Sequence, residues 1–206
     1  MKICAVLLAA GEGSRMGHIP KSLLMHNGES FLYRQLNSLR QAGTQSICVV
    51  TGYYFQQIED ALHEIMHQDG TDKTLIKILR NPAPDQGQQS SVELGLTSIN
   101  PDCNAVIIAL ADQPLIDAKD MIELLTAFAQ RPPGKEILYP VVKGQRGNPV
   151  LLSGVVLRAQ QSQSGRMTCR DFIDTHPDLV ERWHTDNDHY IIDVDTPQDL
   201  ERLNKG

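Results

Sequence analysis

The sequence predicts a three-layer α/β/α sandwich around a mixed, mainly parallel sheet. Two observations carry that expectation: apolar runs alternate with amphipathic stretches along the 206 residues, and the chemically useful side chains fall just after the apolar runs. Such alternation is satisfied by right-handed crossovers that cover both faces of a sheet, and ligands then sit at the carboxyl ends of the strands. Ile3 to Ala10 has no polar face, as expected of a strand buried on both sides. The strands that follow are expected at Ser46 to Thr51, Leu75 to Leu79, Ala105 to Ala111, Ile137 to Val142 and Tyr190 to Val194. Helices are expected near Ser30 to Gln41, Gln56 to His67, Ser90 to Ile99 and Asp117 to Gln130, with a last one opened by Thr196-Pro197. Residues 131–170 carry Pro132-Pro133-Gly134, Gly144, Gly147 and Gly165. They are expected to form an irregular substrate-side elaboration of one domain spanning residues 1–206.

A composition of 41% hydrophobic and 21% charged residues is that of an ordinary globular chain. The formal charge of -6 argues against a nucleic-acid surface, which needs lysine and arginine clustered on one face. Cys4, Cys48, Cys103 and Cys169 show no metal-ligand or C-x-x-C spacing and are expected to be reduced, in a cytosolic protein. Lys2 with the short run Ile3 to Ala10 resembles a secretory signal, but the run ends in a glycine loop, so no signal is expected. No stretch approaches membrane-spanning length, and no membrane partner is expected.

That glycine loop is the most specific feature. In LLAAGEGSRMGHIPKSLLM, residues 7–25, a buried strand runs into Gly11, Gly13 and Gly17, and then into Arg15 and Lys21. The glycines are expected to turn with positive φ and let consecutive N–H groups approach anionic oxygens. The loop is not the dinucleotide motif, whose third glycine would come one residue earlier, and the strand ending at Thr51 brings no acid for a ribose. Nor is it a Walker loop, because His18, Ile19 and Pro20 separate Gly17 from Lys21-Ser22. What remains is a cradle for phosphates with two full positive charges.

Two acids stand where they can serve the cradle. Asp112 ends the strand NAVIIALAD, and Pro114 stops that strand from continuing. Asp193 and Asp195 are expected two apart on one face of the strand beginning at Tyr190, Asp195 being preferred by position. Acids at strand ends facing a phosphate loop suggest Mg²⁺, which takes one or two carboxylates plus substrate phosphates.

LAAGEGSRMG, Pro20-Lys21, NPAPDQGQQSSVELGL at 81–96, ADQPL at 111–115, GNPVLL at 147–152 and DVDTPQDL at 193–200 resemble, in content and order, the molybdenum-cofactor nucleotidyltransferases. The resemblance covers nearly the whole chain and implies a Rossmann-like sheet of the nucleotide-diphospho-sugar transferase type. It also implies a nucleoside triphosphate and a phosphorylated small-molecule acceptor as substrates. Leu8-Ala9-Ala10-Gly11 resembles the cytidylyl form of the loop, the guanylyl form having glycine at the position of Ala10. On this resemblance Arg15 and Lys21 are catalytic and bind the triphosphate. Leu8, Ala9, Ala10, Gly11, Gly13, Asn81, Gly87 and Ser91 line the nucleotide, and Asp112 and Asp195 hold Mg²⁺. The implied acceptor is molybdopterin, with a molybdoenzyme or cofactor-handling protein as the partner for the product. Arg146, Asn148 and Arg166 are the residues assigned to the acceptor. The chain departs from the family there: Asn148 replaces a histidine, and QSQSGRMTCR at 161–170 replaces a Gly-Asp-x-Gly-Ala-Arg segment. Transfer to a sugar phosphate or an alcohol phosphate is the alternative within the chemistry, and a non-catalytic nucleotide-binding regulator the alternative outside it.

One motif competes. His63-Glu64-Ile65-Met66-His67 matches H-E-x-x-H, the zinc-hydrolase pattern. Lys73 stands where a longer version would have a third histidine, so the expected reading is a surface helix with Ile58, Leu62, Ile65 and Met66 turned to the sheet and Gly70 ending it.

Overall fold

The computed structural model describes residues 1–68, 74–162 and 169–205. In chain order the elements are β1 (Ile3–Ala9), the short hairpin β2 (Met25–His26) and β3 (Glu29–Ser30), α1 (Phe31–Gln41), β4 (Ser46–Thr51), α2 (Phe55–Gln68), β5 (Leu75–Arg80), α3 (Gln88–Ser98) and β6 (Ala105–Leu110). They continue with α4 (Ala118–Ala129), β7 (Ile137–Val142), β8 (Gln145–Arg146), β9 (Val150–Ser153), α5 (Gly154–Ser162), α6 (Cys169–Thr175), β10 (Val180–His184) and α7 (Pro197–Lys205). The large sheet runs β10-β7-β9-β6-β1-β4-β5, with β8 hairpinned onto β7. β1 pairs in parallel with β4 and β6, and β4 with β5. β9 is antiparallel to both β6 and β7.

The two-residue period of β1 sorts the layers. Ile3, Ala5, Leu7 and Ala9 pack into a core with Leu32, Leu36 and Leu39 of α1, Ile58 and Leu62 of α2, and Leu124 and Phe128 of α4. Cys4, Val6 and Leu8 face the opposite core with Val92 and Leu96 of α3, Val156 and Leu157 of α5, and Phe172 of α6. α3 presses so close to the sheet that a Cβ on Gly95 would strike Val6 Cγ1 and lie 3.3 Å from Val50 Cγ2. α1 starts where Ser30 accepts from the Tyr33 N–H at 3.2 Å, and α4 starts in a reciprocal capping box of Asp117 and Asp120. No helix among the described residues is long and apolar enough to cross a membrane.

The structure corrects several expectations. Tyr190 to Val194 is not a strand: Asp188–Ile191 forms a 3₁₀ turn and the chain then runs irregularly. Its apolar run has another cause, since Tyr190 fills the core at 0% exposure while Ile192 faces solvent. The outermost strand next to β7 is β10, whose polar alternation Val180-Glu181-Arg182-Trp183-His184 suits a half-exposed edge. Residues 131–170 hold β7, β8, β9 and α5. Their glycines mark turns, as at Gly134 and Gly144 with positive φ, and a close approach, as at Gly147, where a Cβ would strike the Tyr190 carbonyl.

Cys4 and Cys103 are not reduced but disulfide-bonded, with Cα atoms 6.2 Å apart. The register Ile3↔Ala105 brings the start of β1 beside the residues leading into β6; 99 residues of separation hid that proximity from spacing arguments. Cys48 is a buried free thiol, and the Cys169 side chain and Gly165 lie outside the described residues.

Candidate active site

β1 ends at Ala9, and the chain turns through Gly11 and Gly13 into a 3₁₀ turn at Ser14–Met16. Gly13 is left-handed at φ 64°, and a Cβ there would collide with the Ile19 carbonyl. Its own carbonyl accepts from the N–H groups of Met16 at 2.9 Å and His18 at 3.0 Å, which closes the loop. Gly17 is left-handed too, at φ 79°. Gly11 differs from the expectation: it lies outside the left-handed region, and nothing stands within 4 Å of where its Cβ would be. Its contribution is an unobstructed backbone at the end of β1.

Lys21 begins a second 3₁₀ turn, Lys21–Leu23. Its Nζ donates to Asp112 Oδ2 and, at 2.7 Å, to Asp195 Oδ1. Burial opposes the charge on Lys21, but Asp112 and Asp195 outweigh it and hold the ammonium above the ordinary lysine range. Arg15 Nη2 lies 2.6 Å from Asp195 Oδ2 with its side chain 69% exposed, free to turn towards an incoming anion. Asp112 comes from the end of β6, and the N–H of Val194 donates to the Asp112 carbonyl at 2.9 Å. That bond brings Asp195 to Asp112 from a loop rather than from a strand face. The two carboxylates converge on one cationic nitrogen, and a pair of hard oxygen donors beside a phosphate loop fits a divalent cation such as Mg²⁺.

Solvent reaches Asp193, yet partial burial of its carboxyl and then the charge of Asp112 push its pKa up to about 6, against a weaker opposing hydrogen bond from Gln113. The folded chain thus holds this proton more tightly than the unfolded chain, so stability falls as pH rises through the window from about 4 to 6 and stays lower above it. Asp193→Asn should raise the melting temperature of the metal-free protein at pH 7.5. The gain is small, under about 1 kcal/mol for a solvated group, and should vanish near pH 4; a thermal melt at the two pH values checks it.

A cavity of about 450 Å³ lies over these groups. Leu8, Ala10, Gly11, Gly13, Arg15, Lys21, Gly87, Ser91, Asp112 and Asp195 all line it. Two residues expected there do not. Ala9 faces inward and is packed in the core below. Asn81 is buried, and its amide donates to Ser90 Oγ at 2.8 Å and Ser91 Oγ at 2.9 Å, so it shapes the wall behind Ser91. Arg146 and Asn148 line a neighbouring cavity of about 290 Å³ that shares Gln88 and Leu110 with the first. The Arg146 guanidinium lies over the Tyr139 ring, 4.4 Å from its centre. Arg166 lies outside the described residues.

Tyr53 and Asp85 in the first cavity and Arg170 in the second are not among the residues expected from the sequence. Tyr53 stands two residues past the end of β4, as Gly11 and Asp112 do past β1 and β6, so the strand-end rule also pointed to it. His63 and His67 are exposed on α2, with Ile58, Leu62 and Ile65 turned to the core. Met66, expected inward, is 39% exposed, because it lies at the margin of the stripe formed by Ile58, Leu62 and Ile65. Gly70 and Lys73 lie outside the described residues. Among the described residues no group of three or more His, Cys, Asp or Glu is placed to hold a metal.

Residues 5–180 match the family described as the MobA-like NTP transferase domain. The chain belongs to that family. Among curated relatives, the nicotine blue oxidoreductase of Paenarthrobacter nicotinovorans is 25% identical over 208 residues, covering 98% of this chain and 96% of that protein. The bifunctional IPC transferase and DIPP synthase of Thermococcus kodakarensis is 33% identical over 96 residues, 47% of this chain. The bifunctional protein GlmU of Bifidobacterium animalis is 26% identical over 167 residues, 78% of this chain. This MobA-like chain spans only 21% and 35% of the lengths of those two bifunctional relatives. Among solved structures, Rv0371c of Mycobacterium tuberculosis aligns with a TM-score of 0.76 at 24% identity, covering 100% of this chain and 98% of that one. The 4-diphosphocytidyl-2C-methyl-D-erythritol synthase of Anaerococcus prevotii aligns with a TM-score of 0.75 at 15% identity, covering 99% and 95%. These likenesses establish the nucleotidyltransferase fold.

Proposed function

We propose that this MobA-like chain transfers a nucleoside monophosphate, CMP by preference, from a nucleoside triphosphate to a phosphorylated acceptor, molybdopterin, and releases pyrophosphate. The observation that carries the reading is the convergence of Arg15, Lys21, Asp112 and Asp195 at a cavity floored by the end of β1 and the glycine loop. A phosphate oxygen of the acceptor attacks the α-phosphorus, the bond from that phosphorus to the bridging oxygen breaks, and pyrophosphate leaves with the electron pair. Arg15 and the loop amides bind the leaving pyrophosphate, and Lys21 neutralises the equatorial oxygens as charge builds on them. Asp112 and Asp195 would hold Mg²⁺, which when bound supplies further neutralisation of phosphate charge. Arg146 and Asn148, in the adjoining cavity, bind the acceptor, and stacking on Tyr139 pre-orients the Arg146 guanidinium for a phosphate. Incubation with Mg²⁺, each nucleoside triphosphate and a panel of phosphorylated acceptors including the molybdenum cofactor, followed by pyrophosphate release, tests this. Turnover with a sugar phosphate and none with the pterin would refute the acceptor, and nucleotide binding without turnover on any acceptor would favour a regulator.

CMP is preferred because Ala10 lines the cavity with a methyl group where a larger base needs room. Ala10 is also backed by Gly52, where even a Cβ would come within 2.8 Å of the Ala10 methyl. One methyl group is worth about 1–3 kcal/mol of discrimination. Ala10→Gly should therefore shift the ratio of kcat/KM for CTP over GTP towards GTP by about tenfold or more. Equal use of both nucleotides by the unmutated protein would remove the basis for the preference.

A further inference from the structure

We propose that Tyr53 is the platform on which the nucleobase stacks, a role that rests on the nucleotidyl-transfer reading above and extends it. Tyr53 is 42% exposed, and it borders the same cavity as the phosphate loop. A large aromatic side chain left uncovered beside a polar, charged site offers apolar area to a ligand that carries an aromatic face.

The order of strands sets the direction in which a nucleotide lies. Along β6-β1-β4-β5, the phosphate-binding groups gather on one side, with Asp112 after β6 and the glycine loop after β1. Tyr53 follows β4 and Pro84 follows β5, on the far side of β1 from Asp112, and both border the cavity. From β6 to β5 is three strand spacings, about 14 Å at about 4.8 Å each. An extended nucleoside triphosphate with its phosphates over β6 and the glycine loop therefore carries its base to the seam of β1 and β4, where Ala10 adjoins Gly52 and Tyr53 stands.

The platform is held in place. Gly52 sits so close to β1 that a Cβ on it would lie 2.6 Å from the Ala10 carbonyl oxygen. The next residue, Tyr54, donates its hydroxyl to the Glu12 carbonyl at 2.8 Å. The backbone of Tyr53 is thus held between two residues packed on the end of β1 and the phosphate loop, and its ring has only two χ angles to order when a base arrives. Stacking tolerates every base, so Tyr53 contributes affinity while Ala10 contributes choice.

Isothermal titration of the unmutated protein, Tyr53→Ala and Tyr53→Phe with CTP and with inorganic tripolyphosphate, each with Mg²⁺, separates the two ends of the ligand. Tyr53→Ala should weaken CTP binding about tenfold and leave tripolyphosphate binding unchanged, and Tyr53→Phe should keep the CTP affinity. An unchanged affinity of Tyr53→Ala for CTP, or an equal loss for both ligands, would overturn the platform while leaving nucleotidyl transfer standing. Failure of the unmutated protein to bind either ligand would overturn both.

Discussion

Lys21→Ala and Asp112→Ala are each expected to lower pyrophosphate release by about 10²–10³-fold while the protein stays folded, because catalysis of this kind is positioning plus electrostatics. Lys21 Nζ is the point where Asp112 and Asp195 meet, and its removal takes away the charge that would face the transferred phosphoryl group. Asp112→Ala leaves Lys21 paired with Asp195, so the loss is one of function more than of structure. Steady-state assays beside far-ultraviolet circular dichroism check both halves of the statement. Near-wild-type release by both variants would show that the cluster is a structural ion pair.

Tyr190→Ala is expected to have the largest effect on stability. Tyr190 is fully buried, meets Trp183 edge-on with ring centres 5.6 Å apart, and donates its hydroxyl to the Asp120 carbonyl at 2.8 Å. Its own carbonyl accepts from the N–H of Asn148 at 2.9 Å. The residue therefore ties the 3₁₀ turn leading to Asp195 both to α4 and to the Asn148 loop. Truncating a buried aromatic costs about 3–5 kcal/mol, or about 6–20 °C in melting temperature for a chain of this size. Tyr190→Phe, which loses one hydrogen bond, should cost only about 1 kcal/mol. Calorimetric melts of the two variants decide it, and equal melting of Tyr190→Ala and the unmutated protein would contradict the tie.

The parallel half of the sheet was legible because β1, β6 and the interior of β4 are short apolar runs rich in branched residues, as strands covered on both faces are. β9 and β10 were not, for two different reasons. β9 is four residues long between a turn and a helix, too short for a period to register. β10 keeps polar residues on its exposed face and so reads as a loop. Tyr190 misled in the opposite sense: its apolar run reports a side chain dropped into the core from a 3₁₀ turn. At the site, Gly13 and Lys21 were readable from spacing because backbone conformation and charge are local properties. Asn81 was misplaced because its partners Ser90 and Ser91 are chosen by how α3 packs. The Cys4–Cys103 pairing likewise depends on strand order, which no spacing records.

The most direct test of nucleotidyl transfer follows the fate of label from CTP carrying it in either the α-phosphate or the γ-phosphate, with Mg²⁺ and the molybdenum cofactor as acceptor. The α-label should appear in the acceptor product and the γ-label in pyrophosphate, both slowed about 10²–10³-fold in Lys21→Ala. Retention of the α-label in free nucleotide, with the γ-label released as orthophosphate, would contradict the account.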